Sequence, residues 1–449
     1  MMISQEAKTN LKKNRMDWIL FTTAALILLV GTLAIVSSTG QLPSYSRLVR
    51  THLIALPLSG LMFLLGWSLN YQVYQDNWKV LYGIVLASLV AVLVVGVVDK
   101  GSKSWFRLPF FSVQPSELCR IALILVMARF IDVHSSRMGE PLTVLKAFGL
   151  AAPVFYLILK QPDFSGVATT FPVIIGMLYC GGASLFHLLV IVGFGFIVAI
   201  FPVLWTFFSL NPNLGESYAV VRLFQSMAHM GWPAVGFCVA VALLAWGGYW
   251  LANRLRANLP SIYFAGAAVV IITGFMAGVW VQSQMKQYQR KRFEVFVAPQ
   301  ADPRGAGYNI LQAQIAMGSG GLIGKGLFSG TQVRLGFVPE RHTDFILAVV
   351  GEEMGFLGCA GVLGLYLLML WRLVMAAQVA RDQYGYLICC GFFTMFSVYM
   401  LINFGMAVGI VPVAGIPLPL VSYGGSNMVA TLWAIGIAES IYARRVALV

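Results

Sequence analysis

Charge is scarce in this chain. Only 10% of its 449 residues are Asp, Glu, Lys or Arg, and acids are the rarer sign, 17 against 30 lysines and arginines. A soluble chain of this length would divide into two or three domains with charged surfaces. A composition that is 59% hydrophobic excludes that. The five histidines are scattered, and the six cysteines (Cys119, Cys180, Cys238, Cys359, Cys389, Cys390) fall in apolar runs without C-x-x-C spacing. A disulfide framework and a zinc site are therefore excluded as organising features. With so few acids available, any acid near an apolar run calls for an explanation.

What the chain has in abundance is apolar runs of about 20 residues, the length that crosses a bilayer as a helix. They predict spans over Asp17–Ser37, His52–Leu69, Lys79–Val98, Pro115–Asp132, Val144–Leu159, Gly166–Tyr179, Phe186–Phe207, Trp232–Leu251, Ile262–Gln282, Asp344–Trp371, Tyr384–Phe404 and Asn427–Ala443. The expected fold is an all-α polytopic membrane protein of about twelve helices. The first run follows Lys8, Lys12, Lys13 and Arg15 and exceeds the roughly 7–15 residues of a signal-peptide core, so it is read as a retained helix. An even number of spans puts both termini on one side. Arg254/Arg256, Arg372/Arg381 and Arg444/Arg445 then join the basic amino terminus, residues 1–16, in the cytoplasm, as the positive-inside rule requires.

The segment 283–343 stays outside although it carries Lys286, Arg290, Lys291, Arg292, Arg304, Lys325, Arg334 and Arg341. Long loops cross regardless of charge. Its basic residues suit either anionic headgroups or a substrate bearing phosphate. The glycine-rich piece "MGSGGLIGKG" is not a nucleotide loop: Ser319 stands where the first glycine belongs, and Gly326 where Ser or Thr would bind magnesium. These glycines instead predict a tight turn and close backbone approach after a short helix, Tyr308 to Met317. Between Ser209 and Gly231, polar Arg222, Gln225, Ser226 and His229 oppose Val220, Val221, Leu223, Phe224 and Met227, with capping-box spacing at Asn213 and Glu216. That pattern predicts an amphipathic helix at the outer interface.

Three outer helix ends supply acids. Glu117 and Arg120 in "VQPSELCR" share a helix face at i, i+3. Asp163 in "KQPDFSG" lies between two spans, and Asp344 in "PERHTDF" opens another. Each suits a helix cap taken singly, Thr343 and Asp344 included. Their convergence on one side predicts a shared site, because acids beside spans usually mark function. Glu352 and Glu353 follow Asp344, and Glu352 is eight residues deeper, about 12 Å along a continuous helix. That exceeds the separation of paired glycosidase carboxylates, about 5–9.5 Å. At least one of the two glutamates is expected to meet a cation or polar group between helices.

The pieces "SWFRLPFFSVQPSEL", "QPD", "DPRGAGYNILQAQIAMGSGGLIGKGLFSGTQ", "PERHTDFI", "GEEMGFLG" and "GIPLPLVSYGGS" together resemble the SEDS family (shape, elongation, division and sporulation), and "GTQVRLGF" resembles its rod-shape branch. The likeness implies a ten-helix core, here enlarged by a two-helix segment. It divides the chain into seven spans over 17–207, an added segment 208–282, a large structured outer loop 283–343, and carboxy-terminal spans 344–449 with a re-entrant P-L-P/SYGGS loop. It also implies a glycosyltransferase of the bacterial cytoplasmic membrane that polymerises lipid II for rod-shaped elongation, partnered by a class B penicillin-binding protein and other elongation-complex proteins. Nucleic acid has no part.

By the same resemblance Asp344 is the essential carboxylate, a general base for the acceptor hydroxyl. The substrate-binding candidates are Trp105, Lys103, Glu117, Arg120, Asp163, Arg304, Lys325, Arg341, Ser422 and Ser426. No cofactor is implied with certainty; magnesium or manganese could steady the leaving pyrophosphate. Three departures stand out: Arg120 replaces the family's usual lysine, Phe164-Ser165-Gly166 replaces its Gly-Thr, and two spans are added before the outer loop. A lipid II flippase and a non-catalytic scaffold are the alternative functions.

Overall fold

The computed structural model describes residues 16–40, 45–99, 102–107, 112–211, 213, 218–227, 231–257, 259–285, 287–298 and 306–445. Helices dominate, and each of the twelve expected spans holds a helix, although that over Lys79–Val98 ends at Val95, where Val97 and Val98 turn into a strand. The first seven are α1 (Trp18–Thr39), α2 (Tyr45–Ser68), α4 (Trp78–Val95), α5 (Pro115–Val133), α6 (Pro141–Lys160), α7 (Phe164–Cys180) and α8 (Leu185–Leu210), with a short α3 (Gln72–Asp76) between α2 and α4. Then come α9 (Ala219–Met227), α10 (Trp232–Arg254), α11 (Ser261–Gln284), α12 (Gln287–Val297), α13 (Ala306–Ser319), α14 (Thr331–Arg334), α15 (Ile346–Gln378), α16 (Gln383–Val408) and α17 (Gly425–Ala443). Among the described residues, nine helices are long and apolar enough to cross a membrane.

The other three expected spans are α5, α7 and α17, of 19, 17 and 19 residues. α7 is apolar but a turn or more shorter than most of the others, and packing explains how α5 carries charge. α5 carries Glu117, Arg120, Arg129 and Asp132, yet from Pro115 to Ala128 almost every side chain is buried by protein. A helix shielded from lipid can carry polar groups provided they find partners. α16 flanks it on one side and α4 on the other, while α17 packs closely on α2 and α15 on both α1 and α16.

The chain forms two compact units, Met1–Ala183 with Gln312–Val449, and Ser184–Leu311. In the second, Phe201 of α8, Met227 of α9, Ala234 of α10, and Phe275 and Val279 of α11 make one small core. Because α11 packs along α8, this unit is wider than the 208–282 segment marked in the sequence. The amphipathic stretch is helical as α9, burying Val221 and Met227, but Val220 and Leu223 are exposed rather than part of its packed side. His229 and Glu216 lie outside the described residues.

A three-stranded antiparallel sheet was not expected. β1 (Val97–Asp99), β2 (Ser102–Arg107) and β3 (Ser112–Val113) are paired in that order, with Val97 opposite Trp105 and Phe106 opposite Val113.

Candidate functional site

Asp344 sits in the turn before α15, not at its cap. The capping position is Phe345, without a side-chain cap bond, so the helix-start role expected for Asp344 is corrected. What holds the turn is a set of donors from elsewhere. The Tyr423 N–H donates to the His342 carbonyl at 2.8 Å, the Ser422 hydroxyl to that of Thr343 at 2.7 Å, and the Asn403 amide to that of Asp344 at 3.4 Å. Ser422 Oγ also accepts from the Leu418 N–H, and Asn403 also donates to the Ile416 carbonyl at 2.9 Å. The 415–424 loop and α16 thus grip the backbone of residues 342–344. A Cβ added to Gly415 would lie 3.7 Å from Asp344 Oδ2, so the carboxylate faces bare backbone there.

Around this grip, the His342 ring meets the Tyr423 ring edge-on at 5.6 Å, and Tyr423 lies 6.4 Å from His52 of α2. Burial raises the Tyr423 phenol above its ordinary range. Arg341 is buried, which pulls its guanidinium below its usual value, and its Nε donates to the Ser38 carbonyl of α1 at 2.6 Å.

A second cluster lies on α5. Arg120 Nη1 and Glu117 Oε2 pair at 2.9 Å, as the i, i+3 spacing predicts. Asn427 of α17 donates to the same oxygen at 3.2 Å, Arg120 Nε reaches Thr170 Oγ1 at 3.3 Å, and its guanidinium lies 5.1 Å from the Tyr399 ring centre. Glu117, Arg120, Tyr399 and Asn427 line a cavity of about 10 Å³ with Pro419, room for a single water. Pro419 belongs to the loop that grips the Asp344 turn, and its carbonyl accepts from the Tyr366 hydroxyl. The two clusters therefore share a wall.

Asp163 caps α7, accepting from the Gly166 N–H and the Ser165 hydroxyl, while its other oxygen accepts from Gln114 at 3.2 Å. The Phe164-Ser165-Gly166 departure is accommodated because Ser165 supplies a bond to the cap. Ser426 accepts from the Gln114 N–H and donates to the Ser112 carbonyl, stitching β3 to the start of α17. Ser102 donates to the Gln161 carbonyl at 2.6 Å, so the sheet bearing Lys103 and Trp105 is seated on the Gln161-Pro162-Asp163 turn. Lys103 Nζ donates to the Val94 carbonyl at the end of α4, and Trp105 is half-buried. Arg304 lies outside the described residues.

Lys325 belongs elsewhere. Its ammonium has three donors, and Ser319 Oγ, Thr331 Oγ1 and Glu352 Oε1 lie 2.7, 2.8 and 2.8 Å away. No donor remains for a phosphate, which argues against its expected substrate contact. Lys325 is instead the cation that Glu352 required. Fully buried Glu352 also accepts from the N–H groups of Gln332 and Val333 at 2.8 and 3.0 Å, where negative charge suits the start of α14. Glu353 accepts from the Ser37 hydroxyl of α1.

The expected continuous helix through these glutamates is broken. Gly355 has φ 67°, ψ −163°, and the glycine-rich loop lies against the break, with Lys325 N–H on the Glu352 carbonyl and Phe356 N–H on the Gly321 carbonyl. A Cβ on Gly324 would fall 2.2 Å from the Glu353 carbonyl, and its φ is +89°; only glycine fits. The sequence reading anticipated this close approach but not its partner. It also missed Asn403, whose one signal is an amide inside an otherwise apolar span. Among the described residues, no group of three or more His, Cys, Asp or Glu comes together to hold a metal ion.

A family model described as a cell cycle protein, covering FtsW, RodA and SpoVE, matches residues 15–248 and 242–446. The chain belongs to that family. It is 33% identical over 374 residues to the peptidoglycan glycosyltransferase MrdB of Escherichia coli, covering 83% of this chain and 80% of that one. To the peptidoglycan glycosyltransferase RodA of Treponema pallidum it is 32% identical over 439 residues, covering 96% and 98%. Among solved structures it resembles the rod shape determining protein RodA of Thermus thermophilus, with TM-score 0.58, 25% identity, and coverage of 96% and 97%. It also resembles a chain from a peptidoglycan synthase complex that coordinates polymerization and crosslinking, with TM-score 0.63, 27% identity, and coverage of 96% and 98%.

Proposed function

We propose that this chain is a peptidoglycan glycosyltransferase of cell elongation, polymerising lipid II at the outer face of the bacterial cytoplasmic membrane, with both termini in the cytoplasm. Family membership and the activity named for its MrdB and RodA relatives support the reaction class. The observation that carries the site is Asp344, a carboxylate on a turn whose backbone is gripped by two other segments.

Asp344 accepts the proton of the acceptor sugar hydroxyl as that oxygen attacks the anomeric carbon. The lipid pyrophosphate leaves from the opposite face, the centre inverts, and no second carboxylate is needed. Negative charge grows on the leaving group, so fixed cations near it favour the transition state. Arg120 and Lys103 are assigned that part, with Arg304 and Arg341 as further cations of the outer side. Glu117 orients Arg120 through their ion pair. Trp105 offers an aromatic face to a sugar, and Asp163, Ser422 and Ser426 build the rim through their backbone and cap bonds.

The described partner complex of a structural neighbour supports a class B penicillin-binding protein as the transpeptidase that crosslinks the product. A flippase needs charges near the membrane midplane, and the pairing of Glu352 with Lys325 gives that acid another use.

The test is purified protein, with and without the transpeptidase, incubated with labelled lipid II and examined for glycan polymer. Asp344→Asn is expected to fold and insert normally while losing about 10²–10⁴-fold in rate. Polymer at near wild-type rate from well-folded Asp344→Asn protein would end the assignment.

A further inference from the structure

We infer that Asn403 is a positioning residue for the proposed base, its buried amide fixing the Asp344 backbone against the 415–424 loop; this rests on the reading of Asp344 as that base. Asn403 is fully buried within α16, so it cannot reach substrate itself. Its Nδ2 is shared between two carbonyls from distant segments, Asp344 at 3.4 Å and Ile416 at 2.9 Å. Few side chains can do this. Serine and threonine have one donor, ionised aspartate has none, and glutamine is a methylene longer.

The residue also carries a penalty that packing does not explain. Asn403 Oδ1 is buried with no hydrogen-bond partner among the described residues, a state that costs stability. Leucine, of similar size, would avoid that penalty and suit an apolar helix, but it would remove the donor that the Asp344 and Ile416 carbonyls share. The amide is retained at a cost where its hydrogen bonds tie the Asp344 turn to the 415–424 loop. Ser422 works beside it: its hydroxyl donates to the Thr343 carbonyl at 2.7 Å and accepts from the Leu418 N–H at 2.8 Å. Tyr423 N–H completes the set on His342. Three consecutive carbonyls ending at Asp344 are therefore bound by one loop and one helix, and two of the three donors are side chains. A general base must be within hydrogen-bond reach of the proton it takes, and a displacement of about 1 Å can cost on the order of 10²-fold in rate.

The experiment is a double-mutant cycle on the full-length protein in polymerisation assays with lipid II. Asn403→Leu should lower kcat by about 10–10²-fold while the KM for lipid II stays within about twofold, since substrate binding is untouched. Introduced into Asp344→Asn, the same change should leave the residual rate, read in long incubations, unaltered, because the base it positions is gone. A merely structural role would slow both backgrounds by the same factor, and that outcome overturns the inference, as does a full rate in Asn403→Leu. Should Asn403→Leu fail to fold, Asn403→Ser, which keeps one donor at the same position and cannot serve both carbonyls, takes its place in the cycle. A loss of kcat confined to the Asp344 background supports the positioning role; an unchanged kcat, or an equal loss in both backgrounds, overturns it. Polymerisation by Asp344→Asn at near wild-type rate would instead defeat the assignment of the base, a result distinct from failure of the cycle.

Discussion

Replacing Glu352 with glutamine keeps the shape of the side chain and removes its charge. In the folded protein its Oε1 accepts from Lys325 Nζ, Thr331 Oγ1 and the Gln332 N–H, and its Oε2 from the Val333 N–H. A glutamine amide must turn its NH₂ toward one of these sides, and either choice sets donor against donor. Removing one partner of a buried ion pair costs about 3–5 kcal/mol. Lys325 keeps 27% of its side chain exposed, so water recovers part of its solvation and the lower end, about 3 kcal/mol, is expected. At 1.4 kcal/mol per factor of ten, opening of the 318–334 loop should become about 10²-fold more frequent. Limited trypsin digestion of detergent-solubilised protein reads this directly, because Lys325 and Arg334 are cleavage points within the loop. Cleavage that is slow relative to reclosing tracks the open population. The Glu352→Gln protein should be cut at Arg334 about 10²-fold faster, and adding Lys325→Met, which leaves the Arg334 cleavage point in place, should recover part of the loss by removing the orphaned cation. Wild-type cleavage rates in the single variant would refute the account of Glu352 as the anchor of the outer loop.

Gly324→Ala should abolish folding or reduce yield sharply, since an added Cβ meets the Glu353 carbonyl at 2.2 Å; a well-expressed variant with unchanged thermal stability would contradict the packing described. Arg120→Lys keeps the charge but cannot hold Glu117 and Thr170 together, so a rate loss of about tenfold is expected from the loss of one charge-assisted geometry, measured by lipid II polymerisation. For topology, a cysteine at Ala257 in a cysteine-free background should resist an impermeant thiol reagent in intact cells, while one at exposed Leu322 should label; ready labelling at both would overturn the cytoplasmic assignment of the α10–α11 turn.

The amino-acid sequence by itself determined the membrane class, the positions of the spans and the acids at their ends. Those features rest on local physics: an apolar run of about 20 residues crosses a bilayer wherever it occurs in the chain, and residues three apart on a helix share a face, as Glu117 and Arg120 do. β2 left no such signal, because "SKSWFR" does not alternate between apolar and polar residues. Only the tertiary structure decided what each acid does. Lys325 was read by its sign as a phosphate ligand, but the loop folds back so that its donors serve Glu352. Taken singly Asp344 suits a helix cap, but the helix begins after it. The bonds that grip its turn join residues 59 and 79 positions apart. No periodicity spans such a distance, because which amide meets which carbonyl depends on how separate helices pack. The break at Gly355 has the same origin: the sequence has a glycine there, and the partner loop that opens the helix comes from about thirty residues away.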